Sequence, residues 1–246
     1  MRTEAGKRVE RVMKIGAIIP VYDEETRIGG VLEKFEPGVV AAVLAVNDGS
    51  TDGTADILER AGVVTITHDR RMGVGAAIRD GLRHLQSLKF DIAVVLAGNG
   101  KDDPREIPLL VAPILAGEAD YVQGSRFLAG GSFTNLPLAR YAMIKGYTAV
   151  WFIAARRKLS DVTNGFRAYR LSILDDSRID LDQDWLNRYE LEYYLHYKVL
   201  SLGYKFTEVA VSKNYPSRKK YSKIRPFADW WSIVKPILVL RLGIKS

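Results

Sequence analysis

The 246-residue sequence has no cysteine, no uninterrupted apolar run near the ~20 residues that span a bilayer, no internal repeat and no low-complexity linker. The missing cysteines exclude a disulfide framework and thiolate chemistry and fit a reducing compartment, so a cytoplasmic chain is expected. The charged stretch from Met1 to Lys14 lacks the apolar segment of a signal peptide, which argues against export. The nearest apolar candidate for a span, Trp230 to Ile244, is interrupted by Lys235, Pro236 and Arg241. A segment punctuated in this way is expected to form a C-terminal amphipathic helix over 226–246. It would lie on a membrane surface, on the domain or on a second subunit of a homodimer, and not cross a bilayer.

What is present is material for a core. Hydrophobic residues make up 47% of the chain, enough for one large α/β domain. The 36 Lys and Arg outnumber the 29 Asp and Glu, giving a formal charge of +7 and a sequence pI near 9.5. Such a surface attracts phosphates, nucleotides or anionic lipid. The basic residues are not interleaved with a nucleic-acid recognition motif, so no nucleic-acid partner is expected.

From Ile15 to about Tyr121, short apolar runs alternate with helical patterns, the rhythm of βαβ units and a mostly parallel sheet. Strands are predicted at Ile15–Val21, Val39–Val46, Val63–Thr67, Asp91–Leu96 and Asp120–Gly124. Ile28, Val31, Leu32 and Phe35 mark one helix face, Thr54–Ala61 a short helix, and Ile78, Leu82, Leu85 and Leu88 another stripe. After Arg126 come a Gly-rich loop, a helix near Leu138–Arg156, a turn around Asp161–Arg170, and a helix carrying Leu191, Leu195 and Val199 on one face. A strand at Phe206–Val211 and a basic loop, Ser217–Arg225, follow. Polar residues at the C-terminal ends of the first four strands place a ligand site along that sheet edge.

The first strand ends in Pro20-Val21-Tyr22-Asp23-Glu24-Glu25, exposing a ring that can pack on a planar base and carboxylates that can accept from ribose or base N–H groups. The second ends in Val46-Asn47-Asp48-Gly49-Ser50-Thr51-Asp52-Gly53-Thr54. Turn and capping chemistry accounts for Ser50 to Thr54 but not for Asp48, whose place at the strand end suits a nucleotide base or ribose. At this spacing, IPVYDEE followed by VNDGSTDGT resembles the opening of family 2 inverting glycosyltransferases of the GT-A fold. Three later stretches are similar to that family's motifs as well: the helix start from Arg71 to Gly81, Gly124-Ser125-Arg126, and Asp161 to Ala168. Gly75 in that helix start suits either a phosphate or close helix–sheet packing.

The resemblance implies a Rossmann-like, mostly parallel sheet in a single domain over 14–225, with a nucleotide-sugar half at 14–125 and an acceptor half at 126–225. Pro20, Tyr22, Glu24 and Asp48 would face the base and ribose of a UDP- or GDP-sugar, and Asn99 and Lys101 its diphosphate. Arg126, Arg140 and Arg218 match three arginines of the dolichyl-phosphate mannose synthase branch, where they hold the acceptor phosphate and the leaving diphosphate. A polyprenyl phosphate acceptor is already a nucleophile. A sugar or metabolite hydroxyl needs a base, for which Glu190, Glu192 or Asp161 would serve.

One departure stands out. Where the family carries D-x-D-x-Q for Mg or Mn, this chain reads Ala97-Gly98-Asn99-Gly100-Lys101-Asp102-Asp103. Losing two carboxylates weakens a divalent site, leaving Asn99 with a displaced Asp102 or Asp103 as ligands, or Lys101 as a replacement cation. The altered motif also favours a rival reading, a nucleotide-sugar-binding protein without turnover. A nucleotidyltransferase is the other rival, but its Gly-rich Arg-Lys loop after the first strand is missing.

Overall fold

A computed structural model describes residues 12–155, 157–215 and 228–244. Its first part contains β1 (Ile15–Val21), α1 (Ile28–Leu32), β2 (Ala42–Asn47), α2 (Thr54–Arg60), β3 (Val64–Thr67), α3 (Val74–Ser87), β4 (Ile92–Val95), α4 (Ile107–Leu115) and β5 (Tyr121–Ser125). Then follow β6 (Ser132–Thr134), α5 (Leu138–Ala155), β7 (Arg167–Arg170), α6 (Glu190–Ser201), β8 (Phe206–Ala210), β9 (Ser212–Asn214) and α7 (Ala228–Arg241). Seven strands form one sheet in the order β3-β2-β1-β4-β7-β5-β8, and β6 pairs with β9 in a small second sheet. All strands of the large sheet run one way except β7, which is antiparallel to both β4 and β5.

The core follows from period-two alternation on strands covered on both faces. Ile18, Leu44 and Val46 pack with α3 and α6, while Ala17, Ile19, Val21 and Ala45 pack with α1, α2 and α4. The strands therefore read as continuous apolar runs, which is why the sequence announces them within a few residues of their observed bounds. Helix α1 falls short of its predicted stripe: Gly29 and Gly30 weaken its only turn and Phe35 lies past its end. Leu88, the last residue of the α3 stripe, is likewise beyond the helix and exposed.

The sequence pattern passes over α4, whose Pro108 and Pro113 read as breakers. Pro108 sits in the first turn, where no intrahelical N–H is lost. It also passes over β7, inside the expected Asp161–Arg170 turn. This strand begins with a fully buried arginine, Arg167, which donates to the carbonyls of Val162 (3.1 Å), Asn164 (2.9 Å) and Glu192 (2.7 Å). Reversal of β7 brings the Asp161–Phe166 turn to the edge where β1, β2, β4 and β5 end.

Helix α7 lies on α5 and α6, burying Ile237 with Trp151 and Tyr193 and Leu240 in the main core. Trp231 and Leu238 on α7, and Leu138, Phe152 and Ile153 on α5, remain exposed. Among the described residues, no helix is long and apolar enough to cross a membrane. Arg218, Lys219, Lys220, Lys223 and Arg225 of the predicted basic loop lie outside the described residues, as does the side chain of Trp230.

Candidate active site

The loops at the C-terminal edge of the sheet are stitched to one another. Pro20 is the second-to-last residue of β1, beside Val46 of β2. Next to the strand end, the Tyr22 ring carries the Arg71 guanidinium 4.2 Å above its centre, a planar platform at the sheet edge. The acidic run after it serves structure as well. Asp23 accepts from Thr51 N–H (2.8 Å), Glu25 from Gly53 N–H (2.8 Å), and buried Glu24 pairs with Arg27 (2.8 Å).

Asp48 is likewise engaged. Its carboxylate accepts from Met72 N–H (2.6 Å) and Gly73 N–H (2.8 Å) and meets His68 Nδ1 at 2.9 Å, while His68 Nε2 lies 3.0 Å from Asp80. Asp48 thus fixes the loop that carries Arg71. Gly73 needs glycine because its φ is +114°. Gly75 needs it because an added Cβ would sit 2.1 Å from the Leu186 carbonyl oxygen. The amide of Ala76 donates to Asn187 O (3.1 Å), so the start of α3 is packed against chain, and close packing accounts for Gly75.

Beyond β4 the loop closes on itself. Asn99 Oδ1 accepts from Lys101 N–H (3.2 Å), and Asp102, 1% exposed, accepts from Ala97 N–H (3.2 Å) and from Lys213 Nζ (2.5 Å). Lys213 Nζ also donates to Asn164 Oδ1 (2.8 Å). Asp103 caps the short 3₁₀ turn at Pro104–Glu106 and accepts from the Arg105 guanidinium (2.6 Å), whose hydrogen bond holds its carboxyl below the usual range. Asn99 and Asp103, the expected metal ligands, therefore have their oxygens turned to the loop itself. Among the described residues, no three carboxylates or imidazoles cluster. With Asn99, Asp102 and Asp103 each committed to a protein partner and Ala97 without a ligand atom, these side chains do not fit a divalent cation.

The same place is rich in fixed cations. Lys101 Nζ lies 5.6 Å from the centre of the Tyr215 ring and the Arg140 guanidinium 5.9 Å, while Arg126 donates to the Tyr215 hydroxyl (2.5 Å). Burial, with Lys213 and Arg140 nearby, pulls the Lys101 ammonium down to about 8. Two of the three predicted arginines, Arg126 and Arg140, thus converge on one ring together with Lys101; Arg218 lies outside the described residues. Arg126 is nearly sealed and held by Asp161 through Nε (2.6 Å) and Nη2 (2.6 Å). Burial pushes the Asp161 carboxyl up, but the Arg126 charge and hydrogen bonds outweigh it and leave it below the ordinary range. A fully buried, ion-paired carboxylate does not take a proton from an acceptor, so Asp161 leaves the set of candidate bases. Glu190 is buried and its carboxyl is raised by desolvation, but the charges it feels are Lys235 and Arg188, not the cations around Tyr215. Glu192 lies 3.8 Å from Arg167.

The cluster borders an open recess of about 450 Å³ whose lining includes Phe133, Leu136, Leu138 and Tyr141. Leu136 packs with Tyr215 itself, and Phe127 and Tyr141 lie against the same cluster. Lys145 Nζ stands 3.8 Å over the Phe127 ring. Arg71, Lys213 and Tyr215 were not legible as site residues. Lys213 and Tyr215 sit in or just past a three-residue strand, and nothing local in Ser-Lys-Asn-Tyr marks them for an edge set by β5 and β8.

Known proteins resemble the chain in sequence and in fold. A UDP-N-acetylglucosamine–dolichyl-phosphate N-acetylglucosaminyltransferase from Methanococcus voltae is 29% identical over 174 residues, 64% of this chain and 69% of that protein. An undecaprenyl-phosphate mannosyltransferase from Micrococcus luteus is 29% identical, covering 81% of this chain and 83% of its own. In structure, glucosyl-3-phosphoglycerate synthase from Mycobacterium tuberculosis in complex with UDP superposes with a TM-score of 0.69 at 19% identity, over 96% of this chain and 82% of that one. The same enzyme has also been crystallised with Mn2+ and UDP. The glycosyl transferase family 2 domain matches residues 17–178, which hold most of the large sheet, and the chain belongs to that family as a glycosyltransferase of the GT-A fold.

Proposed function

We propose that the chain transfers a sugar from a UDP- or GDP-sugar to a polyprenyl phosphate, with inversion at the anomeric carbon. The observation that carries this is the junction at Tyr215: fixed cations on one side and, on the other, an open recess bearing the side chains of Phe133, Leu136, Leu138 and Tyr141, which suits a phosphate head on a hydrocarbon chain. The names of the relatives, two of them lipid-phosphate transferases, support the same acceptor.

In this reading the base lies against Tyr22 and Arg71 and the donor diphosphate reaches Lys101. The acceptor phosphate, held near Arg140, presents an anionic oxygen to the anomeric carbon opposite the leaving group. No general base is needed, which suits a site whose carboxylates are sealed or turned away. The nucleoside diphosphate leaves as charge builds on its phosphates, and cations fixed in a partly dry site favour that transition state over the ground state. Arg126, locked to Asp161, positions Tyr215 instead of meeting substrate. The exposed apolar side chains of α5 and α7 support contact with the membrane surface that holds such an acceptor.

The test is transfer of radiolabel from UDP- and GDP-sugars into the organic phase with short-chain polyprenyl phosphate. Label partitioning there, in an alkali-stable phosphodiester, is the expected result. Transfer only to water-soluble hydroxyl acceptors, or release of pyrophosphate, would overturn it.

A further inference from the structure

Resting on the glycosyl-transfer reading, we infer that the donor diphosphate is neutralised by the protein's own ammonium at Lys101, backed by Lys213 and Arg140, and that donor binding needs no divalent ion. Two observations carry this independently. The first is the fate of the loop carboxylates. Asp102, the buried one, is bound to Lys213, which itself is buried and shares Asn164. A metal could recruit Asp102 only by leaving the Lys213 ammonium without its carboxylate, an outcome far more costly than leaving the pair intact. Asp103 is committed to Arg105 and the 3₁₀ turn, Ala97 has no ligand atom, and Asn99 brings no charge.

The second is the position of Lys101. Its ammonium is half-buried over the Tyr215 ring, and among the described residues no carboxylate lies within ion-pair distance of it. Asp102 and Glu24 act on the Lys101 ammonium from a distance, but burial and the nearby Lys213 and Arg140 outweigh them, a strain that an added anion relieves. The diphosphate is such an anion, and it arrives with every turnover. Lys213 thus serves as the internal counter-charge that keeps the loop folded, and Lys101 as the cation offered to the ligand.

Isothermal titration of the full chain with UDP and with GDP, in EDTA and in 5 mM Mn2+, tests this; uridine and guanosine report base binding alone. The bound diphosphate's Kd should stay within about twofold between EDTA and Mn2+. Lys101→Gln should weaken it at least tenfold with nucleoside binding unchanged, and Lys101→Arg should restore most of the loss. The triple change Ala97→Asp, Asn99→Asp, Lys101→Gln should make binding sensitive to EDTA. Thermal melting of each variant separates loss of contact from loss of fold. Binding that disappears in EDTA and returns with Mn2+, with Lys101→Gln equal to wild type, overturns the inference while leaving the glycosyltransferase reading intact. Failure of both diphosphates to bind under either condition overturns that reading and the inference with it.

Discussion

Replacing Asp161 by Asn keeps the shape of the side chain and removes its charge from a place where nothing else can compensate. Arg126 is 2% exposed and Asp161 0%, and the pair is joined by two side-chain bonds of 2.6 Å. The variant leaves a buried guanidinium whose remaining acceptors, the amide oxygen at position 161 and the hydroxyls of Tyr215 and Thr163, are all uncharged. Breaking a buried pair in this way costs roughly 3–5 kcal/mol. A domain of this size loses ~2–4 °C of Tm per kcal/mol, so melting should fall by about 6–20 °C, a large part of a total stability of ~5–15 kcal/mol. Circular dichroism melts and urea titrations measure it. The double variant Arg126→Met, Asp161→Leu is the control: an apolar pair of similar volume should be more stable than Asp161→Asn alone. The pair also sets an acid limit. Because the folded Asp161 carboxyl lies below its unfolded value of about 3.9, its contribution is fully present above pH ~4 and is lost as pH falls through the folded value. Asp161→Asn should flatten that part of the acid-stability curve. A variant within ~1 kcal/mol of wild type, or a double variant worse than the two single changes combined, would refute the reasoning.

Asp48→Ala strands the Met72 and Gly73 amides and His68, and at ~1–3 kcal/mol per unsatisfied group it should lower Tm and weaken UDP or GDP binding together. Unchanged affinity in the folded variant would dismiss Asp48 from the nucleotide site. Gly75→Ala drives a methyl into the carbonyls of Leu186 and Arg188, so soluble yield and melting temperature should drop sharply; a wild-type melt would show that the approach relaxes freely. Phe133→Ala with Tyr141→Ala opens the recess and should raise KM for polyprenyl phosphate about tenfold, with nucleotide Kd unchanged by titration. Equal KM values would place the hydrocarbon chain elsewhere.

The strands and the polar edge where they end were legible because a parallel strand covered on both faces must be apolar along its length and can show polar residues only where it ends. Ile15–Val21 and the Asp48 turn state this directly in the chain. The charge deficit at Ala97 and Asn99 was legible too, since a missing carboxylate needs no fold to be noticed. What only the tertiary structure decided is where each charge is satisfied. Asp161 read as a base until β7, running against its neighbours, set it on Arg126 in the interior. Asp102 and Asp103 read as interchangeable ligands until one met Lys213, 111 residues away, and the other capped its own turn. A side chain's type fixes its charge locally, but its partner, and so whether that charge is spent or free, depends on contacts between segments that sequence spacing does not encode.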